Sequence, residues 1–363
     1  MEREKFTGIE KKQLIIFFAI AFGFTYLMGF AMAYAAKQNL PVEVFVNAQM
    51  MYPAAGAIIA MLITKRDDPN LPKKFYLSVV IFTALTVLSV LIRLFIEFDI
   101  IVVSSILISA GSFISIILYF VEKSHRRFAY SLTSMKKNKG YIFLLIFLLL
   151  YISRIFLPVI LGLESIENLI PNESGIIFTV FIPINFFFVM LPFFGEEYGW
   201  RGFLQPLLQK RYGNYLGIFL LGFLWGIWHL PVNILFYSPQ TWGYSVLNQI
   251  IVCVTYSVFF GYVYMKTNNI WLPVWMHYLN NNLILLFADP SVIKDQILSL
   301  QTVFFSFVLL GVLYLPFIFA PTFRKVKLEP IPIQIPGDDP EYEKTSEDDS
   351  EENLFSQEDN SLE

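Results

Sequence analysis

The sequence predicts an all-α protein, a polytopic bundle of about ten transmembrane helices. Three observations carry that prediction. The 363-residue chain is 56% hydrophobic and only 15% charged, where a soluble globular chain is about 25% charged. Apolar windows of roughly 20 residues, the length needed to cross a bilayer, recur along it. Lys and Arg gather in alternate loops between those windows, as the positive-inside rule expects of cytosolic loops. The windows are too many for a cleaved signal peptide followed by a soluble domain.

The elements follow in order. The first five windows are Leu14–Tyr34, Val44–Thr64, Phe75–Phe95, Ile100–Val121 and Tyr141–Leu161. The next five are Phe178 to about Leu208, Leu216–Phe236, Val246–Met265, Trp271–Phe287 and Val303–Ala320. One set of loops and ends holds Lys11, Lys12, Lys65, Arg66, Lys73 and Lys74, then the cluster from Lys123 to Lys139. The same set takes Lys210, Arg211, Lys266, Arg324, Lys325 and Lys327, whereas the opposite loops hold only Lys37 and Lys294. Ten spans then put both termini in the cytosol. The expected organisation is N-terminal spans over 1–172, a core segment over 173–290, a last span over 291–321 and a cytosolic tail over 322–363. Asp338–Glu363 is rich in Asp, Glu and Ser, so that tail should be disordered and solvated. A single cysteine, Cys253, excludes an intrachain disulfide. No nucleic-acid partner is expected, and the lipid bilayer is the partner the apolar windows imply.

The chemistry-bearing residues fall between Phe178 and Phe287. In the stretch FFGEEYGWRGF, Glu197 and Arg201 are four apart and can neutralise one another. Glu196 is turned by about 100° from Glu197 and needs another reason to be there. The polar turn QKRYGNY reverses the chain, with a pivot between Tyr212 and Gly213. That pivot sets Glu196 level with His229, and Gly199 level with Gly226. Gly195 and Gly199, with Gly222 and Gly226, read as small-residue pairs that bring the two helices together. Pro231 frees the carbonyl of Ile227 and kinks the helix just past His229, where Asn233 is a candidate supporting partner. Trp225 stands one turn before His229. Further on, His277 and Asn281 are four apart and share a face.

Each piece has a plainer reading. The Glu-Glu-x-x-x-Arg stretch suits an interfacial ion pair, and a lone histidine suits a helix–helix hydrogen bond. Arg154 has no local partner and reads as a packing contact across the bundle; His125 sits in a basic loop. Taken together, a buried glutamate beside imidazole is a general base for water. Imidazole and amide N–H groups are donors to an oxyanion. Neither a Ser or Cys nucleophile with its base nor an HExxH motif occurs, so no cofactor is expected, although two histidines and a glutamate form a conceivable zinc set. A proton-coupled transporter uses intramembrane Glu and His similarly.

The ordered motifs Glu196-Glu197-x-x-x-Arg201, Trp225-x-x-x-His229 and His277-x-x-x-Asn281 resemble those of the CPBP family. These are the CAAX prenyl endopeptidase and bacteriocin-processing (Abi) intramembrane proteases, with the type II CAAX prenyl endopeptidase among them. The likeness runs roughly from Phe178 to Phe287, and Trp225 stands where the family usually has Phe. It implies a helical bundle in a prokaryotic cell membrane, with a cavity open to the cytosol and a membrane-associated peptide or protein as partner. It also implies roles. Glu196 with His229 would activate water, and His277 with Asn281 would hold the oxyanion. Glu197, Arg201 and Trp225 would order the site. Some members are linked to bacteriocin self-immunity, and a non-catalytic membrane binding protein of the same fold is the alternative. A transporter would instead show paired broken helices, which the sequence lacks.

Overall fold

The computed structural model describes residues 4–132, 139–171 and 173–324. The acidic tail and the basic residues Lys136 and Lys137 therefore lie outside the described residues. What is described is helical throughout, without a strand. The helices are α1 (Gly8–Lys37), α2 (Glu43–Thr64), α3 (Lys73–Arg93), α4 (Ile100–Val121) and α5 (Tyr141–Ile160). Then come α6 (Glu173–Tyr212), α7 (Asn214–Trp228), α8 (Leu230–Tyr237), α9 (Trp242–Thr267), α10 (Trp271–Asn282) and α11 (Leu300–Phe319). Side chains such as Phe30, Phe95, Leu149 and Val180 point outward and are exposed, the reverse of a soluble protein's surface.

Local chemistry sets the boundaries. α1 begins earlier than its apolar window because Thr7 and Glu10 close a capping box ahead of it. α6 is bent at Val189, the one interior residue off helical dihedrals, just before Pro192. The amide of Leu191, set loose by that bend, donates to Ser112 Oγ of α4 at 3.0 Å. α6 and α7 meet at Gly213 alone, whose φ of 84° is a conformation that side chains rarely adopt.

Among the described residues eight helices are long and apolar enough to cross a membrane, and the bent pair α7–α8 makes a ninth. The window Trp271–Phe287, expected as the ninth of ten spans, gives only the 12-residue α10 and a 3-10 turn, Leu283–Leu286. At 1.5 Å per residue α10 is about 18 Å long, against about 30 Å of hydrocarbon. Asn282 explains the stop: its Nδ2 donates to the carbonyl of Tyr278 at 2.8 Å, competing with the next helical bond.

The glycine pairs bring backbones together, but not each other's. A methyl on Gly195 would fall 2.4 Å from the Met50 carbonyl oxygen, and one on Gly199 would fall 2.3 Å from Pro53 Cβ, both in α2. Gly222 and Gly226 abut Val254 and Ile250 of α9. The expectation that the two pairs face one another is thus corrected: α6 and α7 are each seated against a third helix. Gly199→Ala should therefore destabilise the protein by about 1–3 kcal/mol or more, since proline backbone has no rotamer by which to yield. A lowered unfolding midpoint in detergent checks this; an unchanged midpoint would show that α2 shifts freely.

Candidate active site

Glu196 (2% exposed), Glu197 and Arg201 (0%) and His229 and His277 (7%) are all buried. Ionisable groups at such depth have to be partnered, and the partners define the site. α6 passes from regular helix into a π-helical turn over Tyr198–Leu204 immediately after Glu197. Irregular turns of this kind recur at functional sites.

Glu197 lies at the centre. Arg201 Nη1 sits 3.1 Å from its Oε1 and 3.0 Å from its Oε2. Nδ1 of His277 donates to the same Oε1 at 2.8 Å. Because a carboxylate only accepts, Nδ1 carries the hydrogen and Nε2 is left for other work. The Arg201 guanidinium lies 4.1 Å from the centre of the Trp225 ring, a cation–π contact that fixes it further.

Glu196 makes a different set of contacts. Its Oε2 accepts from the Trp225 indole at 2.6 Å. The carbonyl of Trp225 in turn accepts from Nδ1 of His229 at 2.8 Å. His229 is thereby held as the Nδ1–H tautomer, with Nε2 unprotonated and free. The Trp225 ring centre is 6.1 Å from that of His229 and 5.7 Å from that of His277. One tryptophan therefore touches both imidazoles and holds the carboxylate.

The bend past His229 is built by sequence. α7 and α8 meet at 42°. Pro231 leaves the carbonyl of Ile227 without its helical donor, and the Tyr26 hydroxyl of α1 supplies one at 3.1 Å. Gln49 Nε2 donates to the carbonyl of Trp228 at 3.3 Å, and the Trp228 indole donates to the carbonyl of Ala21 at 2.7 Å. Asn233 Nδ2 donates to the carbonyl of His229 at 2.9 Å and is itself held by Ser245. The N-terminal helices thus clamp the histidine that α7 presents.

Asn281 is the one named site residue that is exposed. Its Oδ1 accepts from Asn280 Nδ2 at 2.9 Å, which leaves its own Nδ2 to donate elsewhere. Within the protein it forms no hydrogen bond to Glu196, Glu197 or either histidine. Three features escaped the sequence reading. These are Trp225 as a donor to Glu196, the His277–Glu197 bond, and the tie from Arg154 to Asn280 and Tyr256. The first had a signal, because a buried indole N–H seeks an acceptor; the other two cross 80 residues or more of chain. Among the described residues no three His, Cys, Asp or Glu side chains gather where they would hold a metal ion.

Residues 178–283 match the family model described as type II CAAX prenyl endopeptidase Rce1-like. A curated relative, CAAX prenyl protease 2 of Methanococcus maripaludis, is 28% identical over 134 residues. Both matches support a CPBP/Rce1-like assignment of this segment of the chain. It is an integral membrane protein, in keeping with its long apolar helices. The match takes in 34% of this chain and 48% of the relative, so the chain spans about half the relative's length. No solved structure matches the chain. The Rce1-like segment contains Glu196, Glu197, Arg201, Trp225, His229, His277 and Asn281, and lies inside the 173–290 stretch read as the core.

Proposed function

We propose that this chain is an intramembrane endopeptidase of the CAAX prenyl type, cutting a prenylated, membrane-associated protein just ahead of its last three residues. The observation that carries the reading is the buried Glu196. One of its oxygens is held by Trp225, and the other has no hydrogen-bond partner among the described residues. A carboxylate so placed beside two fixed imidazoles takes a proton from water as the water oxygen adds to the scissile carbonyl carbon. His229, held through Nδ1, offers Nε2 as an acceptor that aligns the same water. His277, entering the step already as the imidazolium paired with Glu197, donates from Nε2 to the oxyanion, with Asn281 Nδ2 as the second donor. Glu196 then passes its proton to the leaving amine, and the carbon–nitrogen bond breaks. The basic loops, both termini and the mouth of the site face the cytosol in this reading.

Nothing in this sequence of steps is routed through a metal. His229, His277 and Glu196 offer the donor types that zinc takes, and both Nε2 atoms are free, but the three do not gather at metal-binding spacing among the described residues. The test is release of the C-terminal tripeptide from a prenylated peptide by the purified protein in liposomes. The expected result is cleavage that depends on the prenyl group and persists, within about twofold, after chelation. Loss of activity on chelation and its return with about one zinc per chain would replace the mechanism with a metal-assisted one.

A further inference from the structure

Arg154 is the charged side chain that this mechanism leaves unused. It lies on α5, on the same stripe as the buried Phe147, Tyr151 and Pro158. An arginine inside a membrane span is costly and is retained for a partner. No Asp or Glu among the described residues lies within ion-pair distance of it. Its Nη1 donates to Tyr256 Oη at 2.6 Å and to Asn280 Oδ1 at 3.1 Å, and Tyr256 also donates to Asn280 at 2.6 Å. Those bonds fix the guanidinium without neutralising it. Its remaining edge, Nε and Nη2, makes no hydrogen bond among the described residues. That edge is the planar fork that receives a carboxylate through two parallel bonds.

The position of this fork relative to the chemistry suggests which carboxylate it takes. Asn280 stands three residues past His277 on α10, a rise of about 4.5 Å. A three-residue leaving peptide in extended form reaches on the order of 10 Å from the scissile bond to its terminal carboxylate. We infer that Arg154 binds the free α-carboxylate of the substrate's C terminus, which makes it a specificity-determining residue that measures the distance from chain end to cut. The inference rests on the endopeptidase reading above. A side chain that merely props Asn280, and through it Asn281, would instead slow cleavage whatever the chain end.

The test uses the full-length protein in liposomes of zwitterionic lipid, which supply no anionic headgroup. Two prenylated peptides of one sequence are compared, one ending in a carboxylate and one in an amide. The wild-type KM for the amide should exceed that for the carboxylate by about 10- to 100-fold, the value of a hydrogen-bonded charge. Arg154→Gln should bring that ratio close to 1, Arg154→Lys should restore part of it, and Arg93→Gln on α3 should leave it alone. Equal wild-type KM values overturn the inference, and so does an Arg154→Gln protein that loses kcat on both peptides while keeping the ratio. Where Arg154→Gln does not fold, the wild-type ratio decides. Cleavage of neither peptide by the wild-type chain overturns the endopeptidase reading, and this inference with it.

Discussion

Glu196→Gln should yield a folded protein that still binds a prenylated peptide and cleaves it about 10²–10⁴ times more slowly, the usual cost of removing a general base. Gln keeps the shape of Glu and can still accept the Trp225 indole bond that holds the side chain in place. It cannot take a proton from water. Folding should be nearly unaffected, because Glu196 forms no ion pair with any described residue. A thermal midpoint close to wild type, retained peptide binding and lost product release together form the expected signature. A bacteriocin-immunity or scaffold protein of the same fold would tolerate the change in a cell-based assay of its function. Normal product release from a well-folded Glu196→Gln protein would sink the proposed mechanism.

Glu197→Gln should fail in a different way. The substitution leaves Arg201 as an uncompensated charge at a site with no solvent exposure and deprives His277 of the carboxylate on its Nδ1. Removing one partner of a buried ion pair costs about 3–5 kcal/mol. The expected outcome is less protein in the membrane, a lower unfolding midpoint and no activity. A double variant, Glu197→Gln with Arg201→Met, separates the two consequences. It removes both charges, which is often neutral or stabilising, so folding should recover. Activity should not, because His277 still lacks the group that sets its tautomer and steadies its positive form. A Glu197→Gln protein as stable as wild type would show that Arg201 finds its compensation elsewhere.

The two variants differ because adjacent glutamates on one helix look out on different surroundings. That division was partly legible in the sequence. The four-residue spacing puts Arg201 over Glu197, and the rotation per residue turns Glu196 away from it. The bend after His229 was legible too, since Pro231 acts through covalent geometry and not through context. The same holds for the reversal at Gly213, where the backbone takes a conformation that suits glycine. The glycine pairs misled for a definite reason. A glycine shows that some backbone comes close but carries nothing that names which one, and here Met50, Pro53, Ile250 and Val254 were the answers. The window Trp271–Phe287 misled because hydropathy weighs the length of an apolar window. It does not register an Asn282 side chain that ends α10 by taking a backbone carbonyl.

Composition, hydropathy and residue order suffice to predict a helical membrane protein, and motif order with spacing suffices for the family resemblance of one segment and for a choice of residues to test. These are local properties, set by side-chain chemistry within one or two helical turns. Which acceptor each imidazole takes is another matter. His277 bonds to Glu197 across 80 residues of chain, His229 to a tryptophan carbonyl, and Arg154 to Asn280 across 126 residues. A hydrogen bond forms or fails within a few tenths of an ångström. Those distances depend on how each helix is rotated and seated against its neighbours, and no periodicity in one helix encodes the rotation of another. The helices from α1 and α2 that cap Ile227 and Trp228 entered the site by the same route, through contacts that exist only once the bundle has packed.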